Sequence, residues 1–140
     1  MISNRTEYAV RALTELARSG EMRKSDEIAR RQSIPPKFLP HIISDLAKSG
    51  LVRTSRGFGG GITLNRSPQD ITFKAVVEAV QGPFITYECL TGMDDCEFSK
   101  SCILKPIWHK VQVAVEEVLT SITLEDLVRE EDSEVSNDNT

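Results

Sequence analysis

Aromatic residues make up only 6% of this 140-residue chain, with a single Trp, and there are just two histidines. His41 and His109 offer little acid–base chemistry, and no Ser/His/Asp or Cys/His arrangement is legible, so an enzyme is not expected. No apolar run approaches the ~18–20 residues that span a bilayer, which excludes a helical membrane span. The opening Met1-Ile2-Ser3-Asn4-Arg5 lacks the apolar core of a secretory signal. Cysteine is sparse and odd in number, at three, so a secreted disulfide framework is not expected and a reducing, cytoplasmic setting is. What remains, 39% apolar and 27% charged, is the balance of one soluble globular domain.

The net charge of −4 conceals an asymmetry. Residues 1–66 hold 12 Lys/Arg against 6 Asp/Glu, a local net of +6, while residues 81–140 hold 4 against 13, a local net of −9. A basic half joined to an acidic half suggests a polyanion-binding face held apart from a second function.

The apolar spacing predicts a helix from Asn4 to Ser19, with Tyr8, Ala9, Ala12, Leu13, Leu16 and Ala17 on one stripe and Gly20 at its C-terminal cap. Ser25-Asp26-Glu27 reads as the capped opening of a second helix that ends near Gln32. After the tight link Ser33-Ile34, a third helix is expected to run to Ser49, with Phe38 or Leu39, Ile42, Ile43 and Leu46 inward and Gly50 as its stop. Two helices joined by a short turn give a helix-turn-helix outline. Leu51-Val52-Arg53-Thr54 and Gly61-Ile62-Thr63-Leu64 then read as strands around the glycine-rich tip Ser55-Arg56-Gly57-Phe58-Gly59-Gly60. Helix-turn-helix plus hairpin is a winged helix. The glycine run is not a P-loop, which needs a Lys-Ser/Thr ending and a helix directly after it.

Beyond the break at Ser67-Pro68, Thr72 caps a predicted helix through Gln81 with Phe73, Val76, Val77 and Val80 inward. Residues 84–101 show neither period. A long amphipathic helix follows from Cys102 or Pro106 to Ser121, striped by Ile107, Val111, Val115, Val118 and Ile122. This stripe exceeds what the remaining chain covers, which points to packing against a second copy. Thr123 caps a short last helix over Leu124–Val128, and an acidic disordered tail is expected over 129–140. The fold class is mainly α with a small β-hairpin. It divides into a winged-helix domain over 1–81, a cysteine-bearing loop over 82–102, a dimerisation helix with the short terminal helix over 103–128, and the tail.

A winged helix lays the second helix of its helix-turn-helix in the major groove. Lys37, Pro40, His41, Ser44, Asp45 and Lys48 occupy its outward positions; Lys37, His41 and Ser44 suit base edges or phosphates, and Lys48 and Arg53 the DNA backbone. Arg56 at the wing tip suits minor-groove insertion, with Gly57, Gly59 and Gly60 permitting close backbone approach. Pro40 resists a helix that begins well before it, since an interior proline costs roughly 3 kcal/mol outside the first turn.

Cys89, Cys96 and Cys102 fall in or at the end of a polar stretch containing Gly92, Asp94, Asp95 and Lys100, unlike structural cysteines on apolar stripes. Three such thiols can reach one metal centre, and iron–sulfur ligation tolerates irregular spacing. Structural zinc prefers short knuckles and four ligands. From the residues alone, iron–sulfur, zinc, a thiol–disulfide switch and inert thiols all stay open.

Tyr8-Ala9-Val10-Arg11-Ala12-Leu13, the Ile28-Ala29 helix, Phe38-Leu39 and Leu46-Ala47-Lys48-Ser49-Gly50-Leu51-Val52 belong together with Arg56-Gly57-Phe58-Gly59-Gly60-Gly61 and the three cysteines. In this combination, over residues 1 to about 128, the chain resembles the Rrf2 family of bacterial transcription regulators. Members of that family include an iron–sulfur cluster regulator, a nitric-oxide sensor and a rhizobial iron regulator. The resemblance implies a winged-helix homodimer, crossed through the long C-terminal helix, that binds palindromic double-stranded operator DNA as a repressor. It also implies an iron–sulfur cluster (2Fe–2S or 4Fe–4S) held by Cys89, Cys96 and Cys102, whose presence or damage switches DNA binding. Glu7 occupies the position at which the nitric-oxide sensor carries an aspartate ligand supplied by the partner protomer, which makes it a possible fourth ligand, beside Glu97, an exogenous thiol or water; otherwise it is a solvated first-turn carboxylate. Two departures stand out. The family's cluster regulator has a histidine one turn after its third cysteine, where this chain has Lys105, and the first spacing here has six intervening residues rather than five. His109 lies seven residues past Cys102, ~10 Å along a helix and too far for the same iron. No membrane partner and no small-molecule substrate are expected. The rival readings are a cluster-free regulator worked by a thiol switch or a protein partner, and a small iron–sulfur redox protein whose basic half binds an acidic partner.

Overall fold

The computed structural model describes residues 1–85 and 102–138. Cys89 and Cys96 lie outside the described residues.

Local signals account for most element boundaries. Helix α1 spans Asn4–Ser19; the Ser3 hydroxyl accepts from the Thr6 N–H at 3.2 Å, and Gly20 ends it in the left-handed conformation at φ 65°. Ala9, Ala12, Leu13 and Leu16 form its buried stripe. Helix α2 spans Ser25–Arg31, and here the cap differs from expectation. Lys24 holds the cap position with no side-chain hydrogen bond, and Ser25 is already helical. The backbone of Arg23 exchanges hydrogen bonds with Ile62 at 3.0 and 2.8 Å, an antiparallel bridge immediately before this cap.

Helix α3 spans Leu39–Lys48 and so starts later than the apolar spacing alone suggests. Pro40 falls in its first turn, where a missing N–H costs nothing, and the conflict it posed disappears. Leu39, Ile42, Ile43 and Leu46 face inward. Strands β1 (Val52–Ser55) and β2 (Gly61–Leu64) pair antiparallel, Val52 opposite Leu64 and Ser55 opposite Gly61.

After a 3₁₀ turn at Pro68–Asp70, helix α4 spans Phe73–Gln81, its Thr72 cap accepting from the Ala75 N–H at 3.1 Å. Val76 and Val77 are buried, with Phe73 and Val80 partly so. Helix α5 spans Lys105–Ser121. The chain then turns back, and the Ile122 carbonyl and Leu124 N–H pair with Phe73 and Ile71, each at 2.8 Å.

Helix α6 runs Leu124–Asp138, a correction to the short helix closing at Val128 and the disordered tail from Arg129. Three interactions extend it. Thr123 and Asp126 cap each other reciprocally at 3.0 and 3.2 Å, Arg129 pairs with Glu125 one turn back at 3.0 Å, and Arg18 of α1 forms an ion pair with Glu131. The hydrogen bond to Glu131 raises the pKa of the Arg18 guanidinium.

One core joins these elements: Leu13 and Leu16 of α1, Ile28 of α2, Leu39, Ile42 and Leu46 of α3, Ile71 and Leu124 are essentially sealed from solvent. Helix α5 stands apart. It packs against α4 and buries only Gln112 and Leu119, while Ile107, Val111, Val113 and Val118 are exposed. No helix among the described residues is long and apolar enough to cross a membrane.

Candidate nucleic-acid interface and the cysteine segment

Helix α3 and the wing flank one open cleft, lined from α3 by Pro40 and Ile43, from the hairpin by Thr54, Ser55, Gly57, Gly60 and Gly61, and by Lys24 and Ser25 at the start of α2. His41, Ser44 and Lys48 are exposed along α3, one helical turn apart in succession. Lys37 precedes the helix, its ammonium 5.1 Å from the Phe38 ring centroid. Arg53 and Arg56 are exposed on the hairpin. Arg53 is committed to the base of the wing, donating through Nε to Asn65, whose amide donates in turn to the Gly50 carbonyl at 2.9 Å. Arg56 has no ion pair among the described residues. Gly57 and Gly59 take φ of 89° and 83°, and a Cβ at Gly60 would sit 2.3 Å from the Ser55 carbonyl oxygen, so the tip tolerates little but glycine. The wing is therefore a thin basic edge beside α3.

Two long-range pairings adjust this face. Arg5 of α1 reaches across to Asp45 of α3 at 2.7 Å, which neutralises the one carboxylate among the outward positions of α3. Phe38 is not inward but 38% exposed, stacked on Tyr8 of α1 with centroids 5.9 Å apart; Leu39 takes the core position. Both are long-range pairings with no local signal. Glu15 is buried and receives Arg31 at 3.3 Å and Gln32 at 3.0 Å, bracing α2 against α1.

Of the three cysteines, Cys102 is placed: it is half-buried, in no disulfide, and its carbonyl accepts from the Lys105 N–H at 3.4 Å as α5 begins. Among the described residues no three of His, Cys, Asp or Glu converge on a metal-sized site. Glu7 is exposed in the first turn of α1 and paired with Arg11 at 2.8 Å. The first turn of α1 is also held by α4. Gln81 accepts from the Thr6 hydroxyl at 2.6 Å and from the Ser3 N–H at 3.1 Å, and donates to the Met1 carbonyl at 3.0 Å. His109 is exposed on α5.

The family profile described as Rrf2, iron-dependent transcriptional regulator, matches residues 2–130. An rrf2-like HTH-type transcriptional regulator of Rhodobacter capsulatus is 34% identical over 140 residues, covering 91% of this chain and 92% of the relative. The HTH-type transcriptional regulator NsrR of Bacillus subtilis is 37% identical over 131 residues, covering 91% and 90%. Among solved structures, CymR, the global cysteine regulator of B. subtilis, superposes with a TM-score of 0.76 at 30% identity, over 92% of this chain and 96% of that one. IscR of T. potens superposes with a TM-score of 0.74 at 30% identity, over 94% and 88%.

Proposed function

This chain belongs to the Rrf2 family and is a DNA-binding transcriptional regulator rather than an enzyme, and from that premise we propose that it is a cytoplasmic, homodimeric repressor of palindromic operators whose affinity is set by an iron–sulfur cluster. The observation that carries this reading is the continuity of Cys102 with α5. The thiol lies three residues before a helix whose Ile107, Val111 and Val118 are exposed in the single chain. An uncovered apolar stripe of this kind is stabilised by a second copy, and a C2 dimer sets two wings and two recognition helices on successive turns of a palindrome. A sensing centre built into the start of the dimer helix acts on the spacing of the two DNA-binding faces.

The donor set suits the cluster. Three thiols, one of them half-buried and outside any disulfide, supply three of the four donors an iron–sulfur cluster commonly takes, and the positive end of α5 favours the negative charge of a thiolate-held centre. Cys89, Cys96 and Cys102 would hold the group, with Glu7 from the partner protomer offering an oxygen ligand. When bound, the cluster supplies a centre that oxygen, nitric oxide or iron shortage destroys. The protein's own part is to carry the DNA contacts: Lys37, His41 and Ser44 to base edges or phosphates, Lys48 and Arg53 to the backbone, Arg56 with Gly57, Gly59 and Gly60 to the minor groove.

Anaerobic purification tests the reading. A brown protein with iron and sulfide, whose operator affinity changes when nitric oxide bleaches it, supports the proposal. A colourless protein that binds DNA and responds to thiol oxidation supports a cluster-free thiol switch instead, the reading favoured by the likeness to the CymR cysteine regulator.

A further inference from the structure

We propose that Phe58 is an apolar wedge that enters the DNA minor groove beside Arg56 and partly unstacks one base step in each half-site, so that the protein bends its operator. The proposal rests on the reading of the wing as a DNA-contacting edge.

Phe58 is the apex of the hairpin and has a relative exposure of 108%, with no protein atom covering its ring. The backbone holds it there. Gly57 and Gly59 on either side take left-handed φ, and the Gly60 N–H closes the turn onto the Gly57 carbonyl at 2.9 Å. A phenyl ring thus projects from a tip otherwise built of glycine, an edge thin enough for a groove ~6 Å wide.

Charge selects the partner. Residues 46–69 contain Lys48, Arg53, Arg56 and Arg66 and not one Asp or Glu. An apolar probe set in a purely cationic segment, at the tip of a hairpin whose Thr54, Ser55 and Gly57 line one cleft with Pro40 and Ile43 of α3, matches a stacked base step walled by phosphates. Inserted apolar side chains pry steps apart and kink the duplex, and pyrimidine–purine steps such as TA yield most readily. Phe58 therefore adds sequence preference at a position that Arg56, reading groove width and charge, does not specify. The ring touches no core residue, so its removal leaves the fold intact.

The probe for the test is a duplex that the wild-type dimer enriches from a random-sequence pool, with 2-aminopurine placed at successive steps under the wing. Wild-type protein is expected to raise the fluorescence at one step per half-site and to shorten the end-to-end distance read by energy transfer. Phe58→Ala is expected to bind about tenfold more weakly, to abolish both signals, and to enrich a pool without the TA preference, at an unchanged melting temperature. Phe58→Leu should restore part of each. Wild-type affinity, fluorescence and pool in Phe58→Ala would overturn the wedge while leaving DNA binding by the wing untouched. Failure of the wild-type protein to enrich any duplex would overturn the DNA-contacting wing itself. Binding to anionic phosphatidylserine vesicles that depends on Phe58, with DNA binding unaltered, would overturn the wedge in favour of a lipid surface.

Discussion

The buried amide of Gln112, midway along α5, donates to the carbonyl of Phe84 at 2.7 Å. The same amide reaches Glu116 one turn further on at 3.0 Å. Phe84 lies just past the end of α4, and Cys102 just before the start of α5, so the described residues on either side of 86–101 are both tied to one helix. These anchors do not involve a thiol.

Each of Cys89→Ala, Cys96→Ala and Cys102→Ala is accordingly expected to abolish the visible absorbance of anaerobic protein while the proposed dimer stays folded. Iron and sulfide analysis with light scattering checks this. A variant that keeps full iron and sulfide removes its cysteine from the ligand set.

For Glu7→Ala, the pair with Arg11 is an exposed i,i+4 contact worth only ~0.2–0.5 kcal/mol, so stability should barely change. The expected effect is on the cluster, with a shifted anaerobic spectrum and faster bleaching by nitric oxide or oxygen. An unchanged spectrum and unchanged switching would return Glu7 to the role of a solvated first-turn carboxylate.

Arg56→Ala should weaken operator binding and reduce the slope of log K against log salt, by at most the ~0.9 that one neutralised phosphate contributes on duplex DNA, because a cation in the minor groove also displaces counterions. The loss should be largest on sites with a narrow A/T minor groove. Titrations at several salt concentrations decide it; equal affinity of variant and wild type across all sites would take Arg56 out of the interface.

The start of α6 carries a pH dependence. The Thr123 N–H, and after it the Thr123 hydroxyl, hydrogen-bond to the Asp126 carboxylate and lower its pKa. A carboxyl depressed in the folded state contributes stability fully above its unfolded value, near ~4, and loses it as pH falls through the folded value. Between about pH 6 and pH 3 the wild type should therefore lose more urea resistance than Asp126→Asn. Equal losses would show that the cap contributes nothing to this pH dependence.

The site was legible in the sequence where its parts are local. The glycine run with Arg56 at its head marks a hairpin tip, and the stripe of Ile107, Val111 and Val118 exceeds what a small domain can cover. Asp45 gave no sign of its partner, because Arg5 lies on another helix and the pair depends on how α1 crosses α3. Gln81 and Gln112 were equally silent. A glutamine in an amphipathic helix reads as surface until a carbonyl or hydroxyl from elsewhere meets it.

By itself the sequence determined the features that a few neighbouring residues decide. The Thr72 cap, the left-handed stop at Gly20, and the antiparallel hairpin are set by side chains and φ preferences within one turn of where they act. Tertiary structure decided the rest. The cap of α2 falls on Lys24, beside the Arg23–Ile62 bridge, and the start of α3 at Leu39 gave Pro40 a harmless place. Burial of Leu124 and the reach of Arg18 to Glu131 carried α6 on to Asp138 through an acidic segment with no apolar period of its own. Such a segment is helical because other parts of the chain hold it, and those contacts form only once the core has brought α1 and α6 together.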